Sequence, residues 1–458
     1  MLTFLGLIVI TLTINARDER LSSEAQALLQ LPRNPYLPQE NIYVALAGFD
    51  APARQSVVAT GQARIAHYNG QVDAMLQDPL YPLRDLSRQD PLALKFNGKT
   101  EFGLPREPSF WASVRENGPK VVQLARENRE LYERYLAMQK LPGYFETQRA
   151  SVMANIFAPP TELRNLFLAK FALTMQKGDD TQKQTALTGL CQDINLWRRM
   201  LAGEGNLISK MLAIAYLQND YLVLSDMIAD PDTAIPDNID SFLPNPDTRE
   251  WNIGKAFGSE FRFHSFIYLQ TQTLGAADWQ PPGNADSRVR HWFNRVILNP
   301  IGERLFKLNA TENLDAKLMN QLAGFAAINP ATFTAERARY RKWADDNAHF
   351  LRLRTVYNPT GKILVAIAAP AYEQYVLRPY DTAALQRLVR LSLEIRRHLV
   401  APSGMTAFMT KHREWSTHPA DGRSFSWNPT TGEIAILTVA KQTSDRRFSV
   451  QIWRKPAS

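Results

Sequence analysis

Glu260 and His264 stand four residues apart in GSEFRFHSF, so a helix would set a carboxylate and an imidazole one turn apart on one face. Such a pair can serve as general acid and base, or supply half of a metal site. The same spacing also arises as an ordinary polar pair, and chemistry would require a third polar group and a pocket around them. His412 and His418 flank Trp415 in KHREWSTH; as ligands they lack an evident third partner, and a loop ahead of a β segment is the simpler reading. Five aspartates, Asp230, Asp232, Asp237, Asp240 and Asp247, crowd the Pro-rich stretch 229–250. They lack the D-x-D-x-D-G frame and distal Glu of a calcium loop, and are expected to be solvated surface.

Cys191 is the sole cysteine, which rules out an intramolecular disulfide. Leu187, Leu190, Cys191 and Ile194 form a helical stripe, so core packing is expected of it rather than reactivity. Trp197, followed by Arg198 and Arg199, is expected to seal a helix interface. The chain has no G-x-S-x-G, P-loop, H-E-x-x-H, CxxC or dinucleotide fingerprint. No residue is therefore assigned a catalytic, cofactor-binding or metal role, and no cofactor is expected.

The elements that must position these residues read as mainly α, a helical-hairpin, solenoid-like array closed by a small C-terminal antiparallel β-meander. With 458 residues the chain can build several packed units, and 45% hydrophobic residues exclude a disordered chain. A mean hydropathy of -0.29 and no central apolar run of about 18 residues exclude a multi-span membrane protein. Residues 31–42 hold three prolines and read as a stiff linker. The body follows as a helical part with hairpins over 43–250, a second helical block over 251–400, and the meander within 401–458. Inside the first part, one helix is expected near 53–68 and a long one over 111–138 with a break at Gly118-Pro119. Helical hairpins are expected to turn at 177–180 and again at Asn219-Asp220. The strings LAKFALTMQKGD and KMLAIAYLQND, 41 or 42 residues apart, suggest stacked helix pairs. A second echo, NPIGERLF and NPTGKILV, reads as helix initiation, with Asn as N-cap and Pro in the first turn. In the last forty residues Phe448, Val450 and Ile452 alternate with polar positions, with turns at 428–432 and 442–446.

The sharpest local signal is the start, MLTFLGLIVITLTIN, which carries no charge before Arg17. Residues 1–16 read as a membrane anchor, although the 13 residues from Leu2 to Ile14 would span only about 20 Å of a ~30 Å hydrocarbon core. The preferred explanation is that the natural start lies a few codons upstream. A cleaved signal lacks its basic flank and small-residue site, and a buried core segment is the other alternative. An uncleaved anchor would place the body outside the cytoplasm, in the periplasm of a Gram-negative cell.

The net charge of +8 is unevenly spread: from Ala335 onward there are 20 Lys and Arg against 10 Asp and Glu. Arg337, Arg339, Arg341 and Lys342, then Arg387, Arg390, Arg396 and Arg397, recur at helical spacing. An ordinary solvated face is the plain reading. A surface for anionic lipid or an envelope polymer is the functional one, and nucleic acid is not expected because no recognition motif accompanies the charge.

The strings ARDERLSSEAQALL, ENIYVALAGFDAP, NLWRRMLAGEGNLISKMLA, NPTGKILVAIAAPAYEQYVLR and DGRSFSWNPTTGEI span most of the chain. In them it resembles a group of uncharacterised proteobacterial single-pass envelope proteins. The resemblance implies an inner-membrane anchor and a mostly helical exported body, with no activity to carry over. The expectation is thus a membrane-anchored periplasmic helical scaffold, non-enzymatic, with a protein partner. The alternative is an enzyme acting on an envelope polymer or lipid, favoured by a pocket that holds Glu260 and His264 with a third polar group.

Overall fold

The apolar stripes close into helices whose ends follow from local chemistry. In this computed structural model the described residues are 10–77, 90–105, 107, 109–151, 157–235, 239, 248–274, 305–326, 332–348, 356–440 and 447–452. Early in the chain come α1 (Ser23–Leu29), α2 (Ile42–Ala47) and α3 (Val57–Gln77), and then α4 (Phe110–Glu116), α5 (Gly118–Glu127) and α6 (Arg129–Met138). The long helix expected over 111–138 is interrupted at Asn117, at the expected Gly118-Pro119 break, and a second time at Asn128, which makes it three. Asn128 is buried and holds the bend, donating from Nδ2 to Leu124 O and Asn97 O.

Three long helices form the centre: α7 (Thr161–Lys177), α8 (Asp180–Ala202) and α9 (Leu207–Ala229). Asp179 caps α8 and Gln182 completes its capping box, so the turn lies where expected. The second expected turn does not exist. α9 runs unbroken through Asn219-Asp220, because Asp220 is a buried partner of Arg164 rather than a turn residue. α10 (Thr248–Trp251), α11 (Gly254–Leu274), α12 (Leu308–Phe325) and α13 (Phe333–Ala348) lead to the 39-residue α14 (Pro359–Arg397), which packs on α9, α12 and α13. After α15 (Met405–Lys411) come β1 (Ser426–Asn428), β2 (Glu433–Leu437) and β3 (Arg447–Gln451), antiparallel in the order 1-2-3. Ile434 pairs with Val450 and Ile436 with Phe448, and this face meets α9 and α14. The protein is therefore mainly α with a C-terminal meander, as its patterning indicates, and most of its buried apolar residues form one cluster.

Asn358 begins α14 as the Asn-Pro pattern requires, taking the left-handed conformation (φ 51°) and accepting from Gly361 N. A Cβ at position 361 would sit 1.9 Å from Thr311 Oγ1, so glycine there also permits the contact between α14 and α12. The other echo, NPIGERLF, the turn at 442–446 and Asp237, Asp240 and Asp247 lie largely or wholly outside the described residues.

The membrane anchor is corrected. Among the described residues no helix is long and apolar enough to cross a membrane, and the inner-membrane, periplasmic placement built on that anchor goes with it. Residues 1–9 of the apolar run lie outside the described residues; 10–14 are helical and end at Asn15, which is fully buried. Asn15 donates to Val356 O at 2.7 Å and accepts from Asn358 N at 2.7 Å. Asp18 then accepts from Asn309 N and Ala310 N in the first turn of α12. The end of the apolar run is fastened to the body by polar contacts that membrane insertion would strip. Downstream, the Pro-rich stretch also lies against the body: Asn41 is buried, bonding Phe145 through both its amide nitrogen and oxygen.

Candidate functional site

On α11 a turn-spaced series, Phe257, Glu260 or Phe261, His264 and Tyr268, lies along the helix that packs on α12, and Phe257 and His264 reach Tyr372 of α14. His264 is buried between two partners that lie far away in sequence. Its Nδ1 is 3.0 Å from Asp315 Oδ2 on α12, and its Nε2 is 2.8 Å from the Tyr372 hydroxyl on α14. The same hydroxyl neighbours Glu260, and the two shift each other's proton affinity. Asp315, His264 and Tyr372 thus form a hydrogen-bonded chain with Glu260 beside its Tyr372 end, and the four residues come from three helices.

Each member is shifted by its surroundings. Burial disfavours the His264 imidazolium, but the hydrogen bond and charge of Asp315, helped by Glu260, outweigh it and raise the group above its ordinary value. Burial raises both carboxyls; Leu207 N, His264 and Tyr372 oppose this at Glu260, as His264 does at Asp315. Tyr372 is raised by burial and by the two carboxylates around it.

Two proton arrangements satisfy this geometry at equal net charge. In one, imidazolium His264 donates to Asp315 and to the Tyr372 oxygen, and Tyr372 donates to ionised Glu260. In the other, the Nε2 proton has moved to Tyr372 and the Tyr372 proton to Glu260, leaving His264 and Glu260 neutral and Asp315 ionised. The chain can therefore deliver a proton to Glu260 or withdraw one.

Glu260 and Tyr372 both meet open space, and Glu260 lines two clefts that share Ile208 of α9 as a wall. One, of ≈ 310 Å³, lies against the 145–150 segment, where Phe145, Glu146 and Arg262 also line it. The other, of ≈ 440 Å³, is walled by Leu207, Ile208 and Met211 on one side and Tyr372, Tyr375 and Arg378 on the other. Glu260 also has a part in the fold, since its Oε1 accepts from Leu207 N at 2.9 Å. Glu146 accepts from Asn206 N and Nδ2, both at 2.8 Å. Two carboxylates thus occupy the positive end of α9.

Below that end, Lys210 is fully buried, donates to Met200 O at 2.9 Å and to Gly203 O, and so closes the C-terminus of α8. Burial pulls its amine down to about 7.

A second buried charge cluster has no such opening. Arg164 is wholly buried and pairs with Asp193 and Asp220, and also donates to Tyr216 O at 2.9 Å. Tyr135 and Gln139 donate to Asp193 Oδ1 at 2.6 and 2.9 Å, and Trp197 and Tyr216 flank the guanidinium. This cluster joins α6, α7, α8 and α9.

The other sequence candidates are placed in structural surroundings. Cys191 packs against the core, accepting a 3.5 Å contact from Asn195, and burial pushes its thiol up. Trp197 is buried edge-on to Tyr216, Arg198 makes a two-pronged pair with Glu250, and Arg199 donates to Gln139 O. His412 stacks on Trp415, whereas His418 is buried against Asp381 at 3.1 Å. The two do not share a site, and among the described residues no group of His, Cys, Asp or Glu is arranged to hold a metal. Asp230, expected in solvent, is buried and accepts from Trp111 Nε1 at 2.8 Å and from Arg115. Much of the basic C-terminal surplus is engaged internally: Arg337 and Arg341 pair with Glu373, Arg390 and Arg397 with Glu394, and Arg396 caps the carbonyl end of α9.

Sequence reasoning found Glu260 and His264 but missed Asp315, Tyr372 and Arg378. A signal for Asp315 existed: with Thr311, Met319 and Leu322 it continues a buried stripe of α12, where a carboxylate must have a partner. Tyr372 carried none, since an aromatic at core spacing reads as packing. Comparison with protein-family models, curated proteins and solved structures returns no match.

Proposed function

We propose that this chain is an enzyme that binds a small molecule in the ≈ 440 Å³ pocket and moves a proton on it through Glu260. The observation that carries the reading is the Asp315–His264–Tyr372 chain, because it reaches the pocket wall beside the Glu260 carboxyl and so can exchange protons with it from behind. As base, with His264 neutral, ionised Glu260 takes a proton from the ligand and passes it to Tyr372 as the Tyr372 proton moves to His264 Nε2, and Asp315 balances the imidazolium formed. As acid, it runs the sequence in reverse. The apolar walls and few polar groups suit a ligand site, and the volume lies in the ~300–1,000 Å³ range of such pockets. A scaffold of helices requires no such pocket, and a plain cap for α9 requires Glu260 alone.

The test follows the transferred proton. Wild-type protein in D₂O is incubated with a panel of aliphatic and aromatic ketones and oxo acids, and C–H exchange is read by proton NMR; esters and amides are assayed for hydrolysis. At least one panel member should turn over, with a loss of about 10²–10⁴-fold in Glu260→Gln and a smaller loss in Tyr372→Phe. Turnover by Glu260→Gln at the wild-type rate, or none by wild type across the panel, overturns the reading.

A further inference from the structure

The pocket holds one charged group that the fold does not use. Arg378, on α14, lines it, and the guanidinium carbon lies 4.8 Å from the centroid of the Tyr375 ring. Its Nε is buried with no acceptor, and among the described residues no carboxylate pairs with it. This contrasts with its neighbours in sequence, where Arg337, Arg341, Arg390 and Arg397 all face carboxylates and Arg387 and Arg396 face carbonyls. A half-buried guanidinium lacking an acceptor is unfavourable, and a planar cation stacked on an aromatic ring is set to take an anion by its fork.

We infer that the ligand of this pocket is an amphipathic monocarboxylate, its head on Arg378 and its aliphatic or aromatic body against Leu207, Ile208 and Met211. The inference rests on the pocket assigned above and adds the ligand class. A phosphate fits less well for two reasons on the same wall. Glu260 contributes an acidic group to the pocket, which disfavours a dianion. The nearest backbone donors, at the start of α9, are already taken by Glu146 and Glu260. Ile208, 54% exposed at the rim, supplies apolar surface that a ligand body would cover.

The test uses full-length protein and three probes of one body: 4-phenylbutanoate, its primary amide, and 4-phenylbutyl phosphate. Calorimetry should show the carboxylate binding at least tenfold more tightly than the amide, and no more weakly than the phosphate. Arg378→Gln should weaken the carboxylate by roughly 10–100-fold and leave the amide unchanged, the amide serving as the control for folding. Equal binding of acid and amide by wild type, tighter binding of the phosphate, or an unchanged acid affinity in Arg378→Gln each overturns the inference. Glu260→Gln separates the two proposals. It should retain or strengthen carboxylate binding while losing proton transfer. Transfer that depends on Glu260 without acid selectivity removes only the monocarboxylate; acid selectivity that depends on Arg378 with no transfer removes only the enzyme.

Discussion

The Arg164 cluster and the His264 chain are built from the same kinds of residue at similar depth, yet they differ in where their hydrogen bonds end. Around Arg164 they end on other buried groups: both aspartates meet the guanidinium, and Tyr135 and Gln139 add donors to Asp193. Around His264 they run to Tyr372, which with Glu260 beside it lines open space. A closed network fixes helices relative to one another; one with an end on a cleft has a proton that can leave. Burial and charge alone do not separate the two, and access does.

The largest effect is expected from breaking the closed cluster. Arg164→Leu leaves Asp193 and Asp220 buried without a counterion, and should cost about 3–5 kcal/mol in urea unfolding or prevent folding. Replacing all three charges together, with Arg164→Met, Asp193→Asn and Asp220→Leu, should recover most of that loss. Failure of the triple variant to recover would mean that the cluster contributes more than mutual neutralisation.

Changes in the open chain should act on turnover far more than on folding. Glu260→Gln keeps an acceptor for Leu207 N, so its stability loss should stay near 1 kcal/mol beside the 10²–10⁴-fold loss of rate. The raised His264 group gives the chain a pH signature. Its contribution to stability is fully present below about 6.5, the unfolded value, and disappears as pH rises through the higher folded value. Unfolding free energies of wild type and His264→Gln, measured from pH 5 to 9, should therefore converge as pH rises. Parallel curves would mean that the imidazole has the same proton affinity folded and unfolded.

Lys210 sits between the two cases, buried like Arg164 but without a carboxylate in direct contact. Its amine titrates near 7 in the fold and near 10.4 unfolded, so the unfolded chain holds the extra proton in between. Stability from this group is complete above about 10.4 and is lost progressively as pH falls towards 7, by on the order of a few kcal/mol. Lys210→Met should flatten that rise between pH 7 and 10 while losing the closure of α8. A slope as steep as that of wild type would assign the rise to other groups.

What could be read in advance follows the same division. Helix class, the α8 cap, the Asn358 cap and the meander are local patterns, and they are present in the fold. Asn219-Asp220 misled because its composition suggests a turn. The stripe Ile214, Leu217, Tyr221, Leu224 and Ile228 nevertheless keeps its helical phase across it, which a turn would have reset. The N-terminal run misled because hydropathy does not register the polar contacts of Asn15 and Asp18 with residues nearly 300 or more positions away. Glu260 and His264 were legible as a pair on one helix, whereas Asp315, Tyr372 and Arg378 join them only through the packing of α12 and α14.

The smallest effect is expected where a histidine is closed on both sides. His418 accepts from Ala420 N at Nδ1, at 3.1 Å, which makes Nε2 the donor to Asp381. Asp381 also accepts from Val439 N and Ala440 N, so this carboxylate of α14 has three donors, two of them backbone groups just after β2. Removing one of three leaves the carboxylate served by backbone, unlike the Arg164 case, where both aspartates lose their counterion. His418→Gln should thus cost only about 1 kcal/mol, with faster amide exchange confined to Val439, Ala440 and the adjoining strands. Proton transfer at Glu260 should be unchanged, because nothing in this cluster reaches the pocket. A loss of rate in His418→Gln without loss of stability would show that access to a cleft is not what distinguishes a working histidine from a structural one in this protein.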